Sequence, residues 1–367
     1  ENSRMVYYGG MYKPFLAAVI LASIPFSSVL ALTPNDSFFG DQWYLSKIEA
    51  PAAWDTTVGN DELVIAVLDT GIDLNHPDLS ENLWVNPGEI AGNGIDDDSN
   101  GYVDDVQGWD FVDHDANPSP VVIVDDPEVA SHGTLIAGLI GATTNNNLGF
   151  AGLLWDVQIM PVRALDEDGA GNEAAATAAI NYAVESGADV INMSFAGPTA
   201  GSALRTAIHD AFDAGVVIVA ALGNEGEDVN VVPVYPACLQ SELEDWVLGV
   251  AATDEDDAET WFTNYGSECA DLSAPGTNVL GLANQQTSAD TAFGGPWNGT
   301  SMASPLVAGA AGLLKAAHPS LTPTQIFTIL KLSVDPIQDT LSGTGALGVG
   351  RLNVARALQI APSFVTG

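Results

Sequence analysis

The chain has 367 residues, 48 of them acidic and 9 basic, for a net charge of −39, and 47% are hydrophobic. That length allows one large domain or two small ones with a sizeable core. A surface this acidic repels nucleic acid and anionic lipid and excludes both as favoured partners. The acid excess is either a soluble, salt-adapted surface or a set of cation ligands.

The first element in chain order is a targeting segment. Lys13 precedes the apolar run 15–26, and Val29-Leu30-Ala31 has the small-x-small form of a cleavage site. The run is short for a membrane span and contains Pro25, so it reads as a secretory signal, with an uncleaved anchor as the alternative. Residues 1–31 are set apart on this basis. Residues 32–367 are expected to form a single domain, secreted, monomeric and without stable membrane insertion once the signal is removed. No pro-domain is evident between the two.

Residues 62–69, ELVIAVLD, are a continuous apolar run rich in β-branched residues, the pattern of a strand buried on both faces. An acidic stretch follows. It carries Asp96-x-Asp98-x-Asn100-Gly101, the first half of a calcium loop, with Tyr102 at its seventh position. The twelfth position is Gln107 and not Glu, so Asp104 or Asp105 would close the shell. A solvated acidic loop is the alternative. The insert 113–130 is either part of a cleft wall, a further cation site or a plain surface loop.

A helix is expected over 131–143, opening at His132. Strands are expected at 157–165, 188–195, 215–222 and 246–253, with alanine-rich helices at 173–187 and 202–215 between them. Gly187 and Gly215 suit helix C-termini. Strand and helix in alternation indicate an α/β fold of three layers: a mainly parallel central sheet with helices on both faces. Cys238 and Cys269 in an exported chain suggest one disulfide, two buried free thiols being the alternative.

In such sheets ligands collect at the carboxyl ends of the strands. Asp69 ends the first buried strand, and Asn224 follows the fourth. His132 and Ser301 open helices, the latter in NGTSMASPLVAGAAGLL. Nucleophilic acyl transfer needs this set of side chains. A serine hydroxyl requires a base, the imidazole requires a carboxylate to fix its tautomer, and the oxyanion requires donors. Taken alone, Ser301 is also a plausible helix cap. An α/β-hydrolase is disfavoured, because Gly299-Thr300-Ser301-Met302-Ala303 lacks the second glycine of G-x-S-x-G and the chain order is wrong.

The blocks VLDTGID, SHGT, INMSFAG, GNEG and NGTSMASP, in that order, resemble the signature blocks of the subtilisin-like serine proteases. The resemblance spans about residues 35–358. It implies that Ser301 is the nucleophile, His132 the general base and then acid, and Asp69 the residue that orients His132. It implies an oxyanion hole made by the Asn224 side chain and the Ser301 N–H. Ser194, Phe195, Ala196 and Gly197 would form one substrate-binding edge and Gly169, Ala170 and Gly171 the other. Leu222 and Gly223 would border the pocket for the side chain before the scissile bond. The bulk of Leu222 and Val234 then predicts a shallow pocket for small or medium apolar side chains.

The N-terminal segment is similar to the thermitase-like branch. That similarity implies a calcium site made by Asp36, Asp78 and Asn146 with the backbone carbonyls of Thr144, Leu148 and Phe150. A frayed Asp36 is the alternative. Leu135 stands where the family often has a second histidine, a departure expected to affect packing and not the triad. The implied activity is that of a secreted, calcium-stabilised serine endopeptidase acting on polypeptides. An acyl transferase or peptide cyclase, or an inactive binding module of the same fold, is the second reading.

Overall fold

Each of the five apolar runs forms a strand of one parallel sheet. In the computed structural model, residues 32–122, 127–240, 245–285, 292–337 and 345–365 are described. The expected signal segment at 1–31 and positions 123–126 of the insert lie outside the described residues. The described residues belong to one unit, Ala31–Gly367.

In chain order the elements are α1 (Trp43–Lys47), α2 (Ala50–Trp54), β1 (Gly59–Asp69), β2 (Trp109–Asp110), α3 (Pro127–Gly141), β3 (Asp156–Arg163) and α4 (Glu173–Glu185). Then come β4 (Val190–Met193), α5 (Ser202–Asp213), β5 (Val217–Ala221), β6 (Leu248–Thr253), β7 (Leu272–Pro275), β8 (Val279–Leu282) and β9 (Phe293–Trp297). The chain closes with α6 (Thr300–Ala317), α7 (Pro323–Leu332) and α8 (Val354–Ile360). Seven strands lie in the order β2-β3-β1-β4-β5-β6-β7, and β8 and β9 form a separate antiparallel pair.

Strand β1 lies between β3 and β4, pairing Asp69 with Arg163 and Leu68 with Met193. Its side chains alternate between two cores, as a period of two requires. Ile65 and Val67 pack with α3 and α6, whereas Ala66 and Leu68 face the opposite core, on the side of α4. Both faces are therefore covered, which is why the run is apolar at every position. Gly187 (φ 86°) and Gly215 (φ 91°) follow α4 and α5 in the left-handed conformation that ends a helix.

Helix α6 is buried from Thr300 to Leu314. It lies close to the sheet because its small residues let it. A Cβ on Gly312 would sit 2.9 Å from Ile65 Cδ1, and one on Gly309 would sit 2.9 Å from Leu153 Cδ2. Larger side chains there would overpack the layer at a cost of about 1–3 kcal/mol. Leu135, also fully buried, packs on Gly281 of β8, where an added Cβ would come within 2.4 Å of Leu135 Cδ1.

Cys238 and Cys269 form the expected disulfide. Closing a loop with a sequence separation of 31 residues contributes about 3–4 kcal/mol through the unfolded chain. Every basic residue described is engaged. Lys47, Lys331, Arg163, Arg351 and Arg356 pair with carboxylates, Lys315 donates to Gly215 O, and Arg205 covers the Tyr235 ring. Among the described residues, no helix is long and apolar enough to cross a membrane.

Candidate active site

A parallel sheet brings all its strand C-termini to one rim, and the chemical residues gather there. Asp69 ends β1 and is fully buried. Its Oδ1 accepts from the Thr70 N–H at 2.7 Å and from His132 Nδ1 at 2.7 Å. A carboxylate only accepts, so the ring proton lies on Nδ1 and Nε2 of the neutral imidazole is a base. Burial lowers the proton affinity of His132, but the Asp69 charge and hydrogen bond outweigh it and hold the ring above its ordinary 6.5.

The SHGT block locks this ring in place. Ser131 Oγ accepts from the Asn284 N–H at 3.1 Å, and Thr134 Oγ1 accepts from the Asp73 N–H at 3.0 Å. Gly133 passes so close to Gly71 that a Cβ would lie 2.2 Å from its carbonyl oxygen. The expected helix start is corrected here. Helix α3 begins at Pro127, so His132 lies in its second turn and not at its opening.

Ser301 is the second residue of α6, 8% exposed. Pro305 has no N–H, so the helix cannot bond the Ser301 carbonyl in the usual i to i−4 way. Pro305 is the sixth helical residue, beyond the first turn where its missing donor would cost nothing. The Ser194 hydroxyl fills the gap, donating to Ser301 O at 3.0 Å. In return the Ser301 hydroxyl donates to Ser194 O at 3.0 Å. Asn192 Nδ2 donates to Ser194 Oγ at 3.0 Å, and Ser304 Oγ donates to Asn192 Oδ1 at 2.8 Å.

Asn224 is fixed from the same helix end. Its Oδ1 accepts from Thr300 N at 2.8 Å and Thr300 Oγ1 at 3.0 Å. With the carbonyl end tied, the amide nitrogen is the end left to donate. His132, Asn224, Ser194 and Ser301 all line one cavity of about 480 Å³. A second cavity of about 340 Å³ is lined by Gly169, Ala170 and Gly171 together with Phe195, Ala196 and Gly197. The two expected substrate edges thus border the same space.

Leu222 is a correction. It is fully buried and packs in the core with α4 and α5, because Leu222 N continues the sheet by donating to Val250 O at 3.0 Å. Val234 packs against the same core and Gly223 is buried beside Asn264. The shallow-pocket expectation built on Leu222 and Val234 loses its basis. Trp297, which also lines the cavity of Ser301, was not singled out from sequence.

The cation candidates divide into two places. Near the N-terminus, Asp36 and Asp78 are buried at 5% and 0% exposure. Asp36 is not frayed: Asn35, Ser37 and Phe38 all bond the 145–149 loop. Asp78 accepts from Asn146 Nδ2 at 2.7 Å and Phe150 N at 2.9 Å. Asp36 Oδ1 is buried with no partner. Burial first, and the Asp36 charge with it, push Asp78 up to about 6. In the acidic loop, Asp96 and Asp98 meet Glu89, their ligand atoms within 4.8 Å of one another. Glu89 was not expected. Asp104 instead accepts from the N–H groups of Asn93 and Gly94, and Asp105 is buried against Asn86, Asn100 and Tyr182. The Asn100 oxygen accepts from Tyr102 N, and the Tyr102 ring packs on Trp109 and Tyr182.

Residues 60–350 match the model of the subtilase family, Peptidase S8. Thermitase of Thermoactinomyces vulgaris is 36% identical over 89% of this chain and 99% of its own length. Halolysin of Haloferax mediterranei is 36% identical over 90% of this chain but only 55% of its own length. A protease structure from Pseudoalteromonas arctica superposes with a TM-score of 0.73 at 30% identity, covering 90% of this chain and all of that one. The chain belongs to the subtilase family. It is accordingly a serine endopeptidase with the subtilisin-like fold.

A general base must be neutral, so kcat/KM should rise with pH through a midpoint above 6.5. The raised value also means that protonated His132 favours the fold below 6.5, a contribution lost as pH climbs through the folded pKa. Asp69→Asn should move the activity midpoint downward and cut kcat by about 10⁴-fold, the loss known for this substitution in other triads. A midpoint that stays in place would refute the electrostatic role given to Asp69.

Proposed function

We propose that this chain is a secreted, calcium-stabilised endopeptidase that cleaves polypeptides through an acyl-enzyme on Ser301. The observation that carries this reading is the 2.7 Å Asp69–His132 hydrogen bond, with His132 lining the same cavity as Ser301 and Asn224. A substrate lies as an extra strand between the 194–197 and 169–171 edges. The Ser301 hydroxyl turns from Ser194 O to His132 Nε2 and gives up its proton as Oγ attacks the carbonyl. Asn224 Nδ2 and the Ser301 N–H at the positive end of α6 hold the oxyanion. His132 then protonates the leaving amine as the peptide bond breaks. Water, deprotonated by His132, releases the acid and returns the proton to Ser301.

The export reading rests on the segment 1–31, the acidic surface and a disulfide, which persists in oxidising compartments. The calcium reading rests on the N-terminal pair. Two buried carboxylates, among the described residues without an ion-pair partner and with one oxygen unbonded, suit a hard cation with oxygen ligands. Asp36, Asp78 and Asn146 with the carbonyls of Thr144, Leu148 and Phe150 would hold it. Glu89, Asp96 and Asp98 are the candidate ligands of a second ion, whose role would be to pin the loop.

Treating the mature chain with a serine-directed fluorophosphonate should label it and stop casein hydrolysis, and Ser301→Ala should abolish both. Labelling without hydrolysis would favour an acyl transferase, and neither would favour an inactive module. Chelation at low salt should lower the melting temperature, and Asp36→Ala should remove most of that response. A melting temperature indifferent to chelator would sink the calcium reading.

A further inference from the structure

We infer that Asn264 is the positioning residue of the oxyanion hole, holding in place the backbone that carries Asn224. This rests on the role proposed above for Asn224. Asn224 is exposed on a loop, and a donor on a loop is useful to a transition state only if the loop cannot shift. Thr300 fixes its side-chain oxygen. The Thr300 hydroxyl also accepts from the Gly223 N–H at 3.1 Å, and a second side chain holds the backbone on both sides of Asn224.

Asn264 is 1% exposed and uses both ends of its amide on the segment 222–227. Its Nδ2 donates to Leu222 O at 3.0 Å and to Glu225 Oε2 at 2.7 Å. Its Oδ1 accepts from Glu225 N at 3.1 Å and Glu227 N at 2.9 Å. Glu225 Oε2 passes the restraint on, accepting from the Asn224 N–H at 3.0 Å. Gly223, at φ 99°, leaves the space the amide occupies, since a Cβ there would lie 2.4 Å from Asn264 Nδ2. No other amino acid carries two donors and an acceptor in this flat shape except the longer Gln. The residue touches neither the cavity around Ser301 nor the Asp69–His132 pair. It acts on the reaction through Asn224.

The test is a double-mutant cycle on the full chain, measuring kcat and KM on a chromogenic peptide. Asn264→Ala should lower kcat by about 10- to 100-fold with KM changed less than about threefold, the pattern of a lost transition-state contact. In an Asn224→Ala background the same substitution should cost less than about threefold, because its target is gone. The midpoint of the pH profile should not move, since Asp69 and His132 are untouched. Should Asn264→Ala fail to fold, Asn264→Asp keeps both acceptor contacts, loses both donor contacts, and should show the same non-additivity. Equal losses in the two backgrounds, or a loss confined to KM, would overturn the proposal alone. Full kcat in Asn224→Ala would instead overturn the oxyanion role itself and this proposal with it.

Discussion

The active-site rim depends on helix α6 lying nearly on the sheet. That approach requires Gly309 and Gly312, whose missing side chains are replaced by Leu153, Leu154 and Ile65. It brings a helix with polar residues at its start into a buried site, and a buried hydroxyl costs free energy unless bonded. Each is bonded to the rim. Thr300 reaches Asn224, Ser304 reaches Asn192, and Ser301 exchanges hydrogen bonds with Ser194. The packing that buries the helix therefore also sets the orientation of Ser301 and Asn224, the proposed nucleophile and oxyanion donor. Pro305 belongs to the same arrangement, because the carbonyl it leaves unbonded is the anchor for Ser194.

Electrostatics divides the molecule differently. The seven basic residues described are engaged in pairs, on a backbone carbonyl or over a ring, so most of the acids have no basic partner. Like charges spread over a surface oppose compaction, and salt screens them within a Debye length of about 10 Å at 0.1 M. The pair Asp36 and Asp78 is the buried extreme of the same excess. Screening by mobile salt does little for it, and a bound ion does much more.

Where hydrophobic periodicity carries the signal, the sequence is easily read. Strands β1, β3, β4, β5 and β6, with α4 and α5, follow from apolar runs and the residues that end them, and the motif blocks mark Asp69, His132, Asn224 and Ser301. Strand β2 has two residues, β7 and β9 contain proline, and β8 is four residues with a glycine inside, so none of them stands in a long apolar run. The start of α3 was hidden because its first turn reads as the acidic end of an insert. Helices α7 and α8 pack on each other and on the back of α6, and nothing in the triad logic calls for them. Glu89 and Asn264 escaped notice for a different reason. Neither lies in a motif: Glu89 precedes the calcium-loop pattern in the same loop, and Asn264 meets the 222–227 segment only through the fold. The Leu222 side chain was misplaced because the residue just past β5 faces the core or the cleft according to a parity that a motif does not state.

The most direct test of this arrangement is a crystal structure of the mature protein after reaction with a fluorophosphonate. The expected result is a single phosphonyl group on Ser301 Oγ. Its free oxygen would lie about 3 Å from Asn224 Nδ2, and His132 Nε2 within hydrogen-bond reach of the adduct. An adduct on another residue, or one on Ser301 with Asn224 and His132 both turned away, would contradict the convergence at the rim.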